Sequence, residues 1–416
     1  MSQDRIAIFE TTTGKILSWP TAVSAYSWST GVNDTEGSLT VETNSLYVDE
    51  WQTTPWLRSL AIIDKYGVVQ AAGPIYKRNV DLATGVVTLT AGSFWSLVKK
   101  RIFQREGRPV LADNTHYQIK TDGSRTDWRQ TFRGTLGGIA VDVLRSQFSD
   151  IPGVANFQRT QGGNQERTYD GIELQTVADL VSNLFQTQTP PMMRFGARLD
   201  GMYVSYTCGV LGETVDPMTF AVSLDANAGV AFEAKVNEDA GGLVNQSWFV
   251  SRLDSQQASQ ESMFAQATRA LKAGEPRLSS ADSSHDKVSN GSTLDSYAAA
   301  VANSEPFHSF TLSIARGVTA GDLATSEVAE QVKTGDWVVL TTERSFWGPS
   351  TFAGRASTVA GDHEKLEVSV ERVTRYDGIN APVDKTRDVL QIKQGDALNQ
   401  IMNFAAFTRR ANNTLI

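Results

Sequence analysis

The feature that most constrains this chain is a recurrence of short apolar/polar alternations, each closed by a turn carrying Gly, Asn or Asp. It is most legible in residues 292–373. There, residues 307–314 alternate, residues 333–336 form a Gly-Asp turn that feeds the strand 337–340, and residues 365–373 alternate again. A period of two sends successive side chains to opposite faces, so each run buries one face and solvates the other. With a helix over 293–302 in front, the stretch predicts a small barrel-like unit whose Gly335-Asp336 pair is turn chemistry rather than a carboxylate site.

The same grammar governs the first hundred residues. Alternating runs at 5–9, 15–19, 24–29, 37–42, 56–64, 68–76 and 86–90 are separated by hairpin-length turns such as 11–14, 65–67 and 81–85. Many short strands with regular turns predict an antiparallel barrel or sandwich. A helix from Ser93, as N-cap, to residue 103 closes it, with Phe94, Leu97 and Val98 on one face and cations from Lys99 to Arg101 toward its C-terminus.

Between 104 and 235 the pattern changes. Polar, irregular residues 104–128 precede a helix over 136–148, with Ile139, Val143 and Leu144 on one face. Gly137-Gly138 lies in no phosphate-binding pattern, so close helix packing is its expected role. A polar loop at 158–169 leads to a helix over 170–185, on which Leu174, Val177, Leu180, Val181, Leu184 and Phe185 recur at helical spacing until Pro190-Pro191. Runs 193–198 and 202–206 form a hairpin, and runs 230–236 and 243–250 resume the β pattern. Residues 263–271 are expected to form an exposed helix and 279–291 a loop.

The expected fold class is therefore mainly β with an α+β insertion. Two antiparallel β-barrel or sandwich domains, 1–103 and 236–376, flank a smaller α+β domain at 104–235, and the second barrel carries a long polar loop and helix. A C-terminal docking tail, 377–416, holds the apolar stripe Leu398, Ile401, Met402 and Phe404 on a helix over 396–405. A length of 416 residues fits this multi-domain organisation.

Chemistry-bearing motifs are scarce. Cys208 is the only cysteine, which rules out an intrachain disulfide or a thiolate metal cluster, and it reads as a small buried hydrophobe. The four histidines show no metal-ligand spacing, and no nucleophile elbow is present. Carboxylates are abundant, yet no pair is singled out; the densest polar group, residues 362–365, reads as a hairpin tip. Catalytic, cofactor-binding and metal-ligating residues are accordingly expected to be none. A net charge of -8 with mixed signs argues against general nucleic-acid binding. No apolar run is long enough for stable membrane insertion, and the N-terminus lacks a signal-peptide core, so synthesis in a cytoplasm is expected. The aromatic content supplies core and interface mass; Trp51, Trp56, Phe346 and Trp347 are the candidate interface aromatics, alongside the tail stripe.

The order of these motifs resembles the baseplate hub, or tail-tip minor tail protein, of long-tailed bacteriophages. Four passages carry the resemblance: 27–31 with 37–41, the strand-to-helix exit 87–101 with its basic end, the Asn-containing strand 243–250, and the helix, strand and Gly-Asp turn of 293–338. The resemblance implies a virion protein located in the tail tip, with no enzymatic activity in its barrels. In that family the two barrels of each subunit alternate around a homotrimer, giving a pseudo-sixfold ring that adapts a sixfold tail tube to a threefold tip. The partners it implies are a distal tail or tail tube protein, the tape measure protein and other minor tail proteins, with DNA passing transiently through the channel. Two other readings stand beside it: a receptor- or carbohydrate-binding tail protein, predicting direct attachment to host cells, and a tail-associated cell-wall hydrolase, predicting cleavage that one Asp or Glu substitution abolishes.

Overall fold

A computed structural model describes residues 4–34, 37–106, 128–151, 157–185, 190–224, 232–240, 243–252, 262–271, 273–282, 291–302, 307–315, 332–343 and 345–378. The chain divides into two compact units: 1–235 with 311–370 and 375–416, and 236–310 with 371–374. In chain order the N-terminal strands are β1 (Arg5–Glu10), β2 (Ile16–Ser18), β3 (Val23–Gly31), β4 (Ser38–Asn44), β5 (Arg58–Ile63), β6 (Val69–Val80) and β7 (Val86–Gly92). The α+β region holds α1 (Trp95–Val98), β8 (Arg129–Gly134), α2 (Leu136–Gln147), β9 (Gln165–Asp170), α3 (Val177–Phe185), β10 (Met193–Asp200) and β11 (Tyr203–Val210). Then follow β12 (Thr219–Ser223), β13 (Phe232–Asp239), β14 (Gln246–Arg252), β15 (Ser262–Thr268), β16 (Ser279–Asp282) and α4 (Gly291–Ala302). The last strands are β17 (Phe307–Ala315), β18 (Trp337–Thr342), β19 (Ser350–Asp362) and β20 (Lys365–Asp377).

The fold is mainly β, as the alternation predicts. The largest sheet has thirteen strands, and its order includes β20-β19-β3-β4-β7-β6-β5-β1-β2, with β18 joined to β19 and β12 to β18. Strands far apart in sequence meet at β3 and β19, which pair antiparallel from Ser27↔Asp362 to Gly31↔Thr358. β6 turns between two neighbours: Leu60 faces Gly73, while Ile75 faces Ala91 across a bulge. Gly73 permits that turn, because a Cβ there would lie 1.6 Å from the Gly92 carbonyl oxygen.

One apolar core serves residues on both sides of position 103. It gathers Phe9 and Ile63 from the first strands, Phe94 immediately before α1, Trp95 and Val98 from α1, Ile139 and Val143 from α2, Val177 and Val181 from α3, and Phe195 and Tyr206 from the β10–β11 hairpin. Phe94 is its aromatic centre, with ring centroids 5.2 Å from Phe148, 5.7 Å from Phe157 and 5.1 Å from Tyr206. Burying each such ring contributes roughly 1.5–3 kcal/mol. Gly137 and Gly138 do pack closely: an added Cβ would meet Val210 Cγ1 at 2.6 Å and Thr160 Oγ1 at 2.3 Å.

Several local expectations need correction. The helix expected over 93–103 is only Trp95–Val98. Ser93 Oγ does accept the Trp95 N–H at its start. Arg101 lies beyond the helix and makes a two-pronged ion pair with Asp150, its guanidinium 4.4 Å above the Phe148 ring. Helix α3 starts at Val177, not at 170: Leu174 is left-handed (φ 52°) and 65% exposed, off the buried face. Thr176 and Asp179 start it with a reciprocal capping box, Asp179 N–H donating to Thr176 Oγ1 and Thr176 N–H to the Asp179 carboxylate.

The polar stretch 158–169 contains most of β9, paired with β8 as a hairpin whose signal is polar rather than apolar. Opposed across it are Arg129 and Asp170, Thr131 and Thr168, and Arg133 and Glu166, the charged pairs bonded at 3.2 Å and 2.6 Å. Such complementary cross-strand pairs stabilise a ladder without hydrophobic alternation.

In the second unit the expected helix at 263–271 is instead β15, antiparallel to β14, and the expected loop at 279–291 contains β16, parallel to β14. Met263, Ala265 and Ala267 face α4 beside Phe249, Leu294 and Ala298. Alanine favours helix locally, but burial of alternate residues decides the strand here. Asn245, fully buried, organises the turn before β16: its side chain accepts from Leu278 N–H and donates to the Pro276 carbonyl.

Candidate interaction surface

The residues expected at an interface fall on two separate loops, and the tail stripe Leu398, Ile401, Met402 and Phe404 lies outside the described residues. Trp51 opens a short 3-10 turn after β4 and is 52% exposed. The Arg58 guanidinium lies 5.7 Å from its ring centroid and donates to the Trp51 carbonyl, while also pairing with Glu10. Trp56 adopts φ +65°, unusual for so bulky a residue, and its N–H donates to the Ile75 carbonyl at 2.6 Å. Arg78, from β6, donates to the Glu50 carbonyl and Thr53 Oγ1, fastening the Trp51 turn to the sheet.

Sequence reading missed several apolar neighbours in these loops: Leu46, Tyr47, Leu57 and Leu82 are all exposed. Ser45 N–H donates to the Gly85 carbonyl, which brings the loop carrying Leu46 against the turn carrying Leu82. Singly exposed apolar side chains are ordinary; here Leu46 and Leu82 stand on adjoining turns. No periodicity could have identified them, because they stand in turns.

Phe346 and Trp347 have different roles. Phe346 is 93% exposed, whereas Trp347 is half-buried and packs edge-on against both Phe346 (5.5 Å) and Phe352 (5.8 Å). The turn is tied by Ser345 Oγ, which accepts from Trp347 N–H and donates to the Gly348 carbonyl. Trp347 is thus the anchor and Phe346 the presented ring. Among the described residues no ring contact links this pair to Trp51 or Trp56.

The polar groups that looked most chemical in the sequence are structural. Asp362 Oδ1 accepts the N–H groups of Glu364 and Lys365, which makes residues 362–365 a hairpin tip. Cys208 is buried in β11. Among the described residues no three His, Cys, Asp or Glu side chains are grouped so as to hold a metal ion, and no helix is long and apolar enough to cross a membrane.

A buried ionic network escaped the sequence reading. Asp336, 2% exposed at the Gly-Asp turn before β18, accepts from Lys333 N–H (2.9 Å), Met218 N–H (3.0 Å) and the Arg194 guanidinium (2.5 Å). Arg194 Nε also donates to the Thr334 carbonyl. Nearby Asp64, 3% exposed, takes the Tyr66 and Val68 N–H groups and the Gln70 amide. The Lys333 amine is pushed below its usual range, first by burial and then by the Arg194 charge, with Asp64 and Asp336 opposing. These carboxylates are occupied by turn and strand donors, so the network locks elements together.

No protein-family model and no curated protein matches the chain. A solved structure shares its fold. The 43 kDa tail protein of prophage MuSo2 from Shewanella oneidensis aligns with a TM-score of 0.52 and 9% identity, covering 88% of this chain and 98% of that one. A tail protein from Neisseria meningitidis MC58 aligns at 0.48 and 11% identity, covering 90% and 97%. Prophage tail protein gp18 from Listeria monocytogenes EGD-e aligns at 0.47 and 9% identity, covering 98% and 100%.

Proposed function

We propose that this chain is a structural virion protein of a long-tailed phage or prophage, the hub of its tail tip or baseplate. The observation that carries the reading is the fold shared with the MuSo2 tail protein over nearly the whole of both chains. At 9% identity the common element is architecture, and it agrees with the order of motifs that resembles the hub family. In this reading three copies form a pseudo-hexameric ring that adapts the sixfold tail tube to a threefold tip and surrounds the genome-delivery channel. Quasi-equivalent β surfaces on one chain suit such a ring, because closed symmetry demands repeated, self-consistent contacts.

The partners in this reading are two further copies, a distal tail or tail tube protein, the tape measure protein and other tip proteins. Exposed side chains on the Trp51–Trp56 loops and Phe346 are the contacts it assigns to them, with the tail stripe docking on a neighbour. DNA passes through without specific binding, since a basic lumen would retain it through its phosphates. The barrels carry no catalysis in this reading. A cryo-EM map of the intact tail tip tests it: three copies on the tail axis are expected, and six copies or a peripheral position would sink it. Host-cell attachment by the purified chain would favour the receptor-binding alternative, and peptidoglycan cleavage the hydrolase.

A further inference from the structure

The first unit contains a cavity of about 270 Å³, walled by β3, the β10–β11 hairpin and the segment before β18. Its lining is unusual for a chain of net charge -8. Arg194, Arg198 and Lys333 all contribute to the wall, and no carboxylate does so among the described residues. Asp64 and Asp336 sit behind it, nearly inaccessible and already engaged by backbone and side-chain donors. The wall thus places Lys333 and the exposed Arg198 beside the cavity, while Arg194 is ion-paired with Asp336. Neutral donors accompany the cations, including Thr30, Ser205 and Thr207.

Burial first, and then repulsion from the Arg194 charge, disfavour the ammonium form of Lys333, with Asp64 and Asp336 opposing. Negative charge placed in the cavity would relieve that repulsion. The volume lies near the lower end of ordinary ligand pockets, room for a small molecule and not for a polymer.

We infer that this cavity is a binding site for a small oxyanion carrying at least two negative charges, of the phosphate or the polycarboxylate class. Charge-assisted hydrogen bonds from guanidinium and ammonium groups are the chemistry that recognises such groups. The inference is independent of the proposed place in a tail.

Isothermal titration of the full chain with pyrophosphate and, separately, with citrate tests it, at constant ionic strength and with sodium chloride as control. One saturable site is expected for at least one of them. Binding of pyrophosphate alone identifies the phosphate class, citrate alone the carboxylate class. Arg198→Gln, at an exposed position, and Lys333→Met should each weaken binding about tenfold or more. An anion also favours the ammonium form of Lys333, so binding at alkaline pH should take up protons. Uptake appears as an enthalpy that varies with the ionisation heat of the buffer, and Lys333→Met should abolish it. No saturable binding, equal binding by both variants, or an effect reproduced by chloride would overturn the site. Thermal unfolding of each variant without ligand shows whether its fold is intact. Should Lys333→Met not fold, Arg198→Gln decides alone.

Discussion

Arg194 in the β10–β11 hairpin donates to Asp336, 142 positions later at the turn into β18, at 2.5 Å. The arginine side chain is 16% exposed and the aspartate 2%. Removing one partner leaves a buried charge uncompensated, so Asp336→Ala should cost about 3–5 kcal/mol in chemical unfolding. Asp336→Asn, which keeps an acceptor oxygen for the turn, should cost less. A loss below roughly 1 kcal/mol for the alanine variant would place the pair among ordinary surface ion pairs.

Gly73 admits no side chain because the obstacle is backbone. Gly73→Ala should cost about 3 kcal/mol or more, or prevent soluble expression. Gly196→Ala, whose new methyl meets only Thr207 Oγ1 at 3.3 Å, should stay within about 1 kcal/mol. Equal melting temperatures for the two variants would contradict the close approach of β6 to Gly92.

The capping box at α3 predicts that Thr176→Ala loses about 1 kcal/mol. Because Thr176 and Asp179 act reciprocally, Asp179→Ala in the Thr176→Ala background should cost less than it does alone. A double-mutant cycle by urea unfolding measures that coupling.

Burial pushes the Tyr169 phenol up to about 12, only partly offset by Arg167. In the unfolded chain the phenol ionises near 10, so between about 10 and 12 unfolding releases a proton from this group. Its contribution to stability is therefore present below pH 10 and falls as pH rises through that window. Ultraviolet titration should show one tyrosinate fewer in this range for Tyr169→Phe only after unfolding. An identical loss in the folded chain near pH 10 would refute the burial.

On the proposed contact surface, Phe346→Ser should leave unfolding unchanged within about 0.5 kcal/mol, while Phe352→Ala, which empties a fully buried site, should cost about 3–5 kcal/mol. In tail assembly the order should reverse, with Phe346→Ser and deletion of residues 396–416 impairing incorporation of a chain that still folds. Normal incorporation of both would remove these contacts from the assembly.

Particular elements show where legibility ended. The alternation of 365–373 and the Gly-Asp turn at 335–336 were readable because burial and turn chemistry act on neighbouring residues. The β8–β9 hairpin was not, since its pattern of Arg, Thr and acidic residues matters only once two strands are set side by side. β15 was misleading for the opposite reason: its alanines favour helix alone, and the sheet and α4 overrule them. The candidate aromatics were legible as residues but not in role. Only the packing on Phe352 separates Trp347, an anchor, from Phe346, a presented ring.

The sequence by itself determined the mainly β class, most strand positions, the helices α2 and α4, and the absence of an intrachain disulfide, since these follow from local periodicity, turn residues and a single cysteine. Tertiary structure alone decided that β3 pairs with β19, that residues on both sides of position 103 share a core around Phe94, and that Asp336 is held by Arg194 as well as by its own turn. Pairings across hundreds of residues are selected by the burial and charge compensation of the whole fold. A one-dimensional pattern holds the parts of such contacts without stating which of them meet.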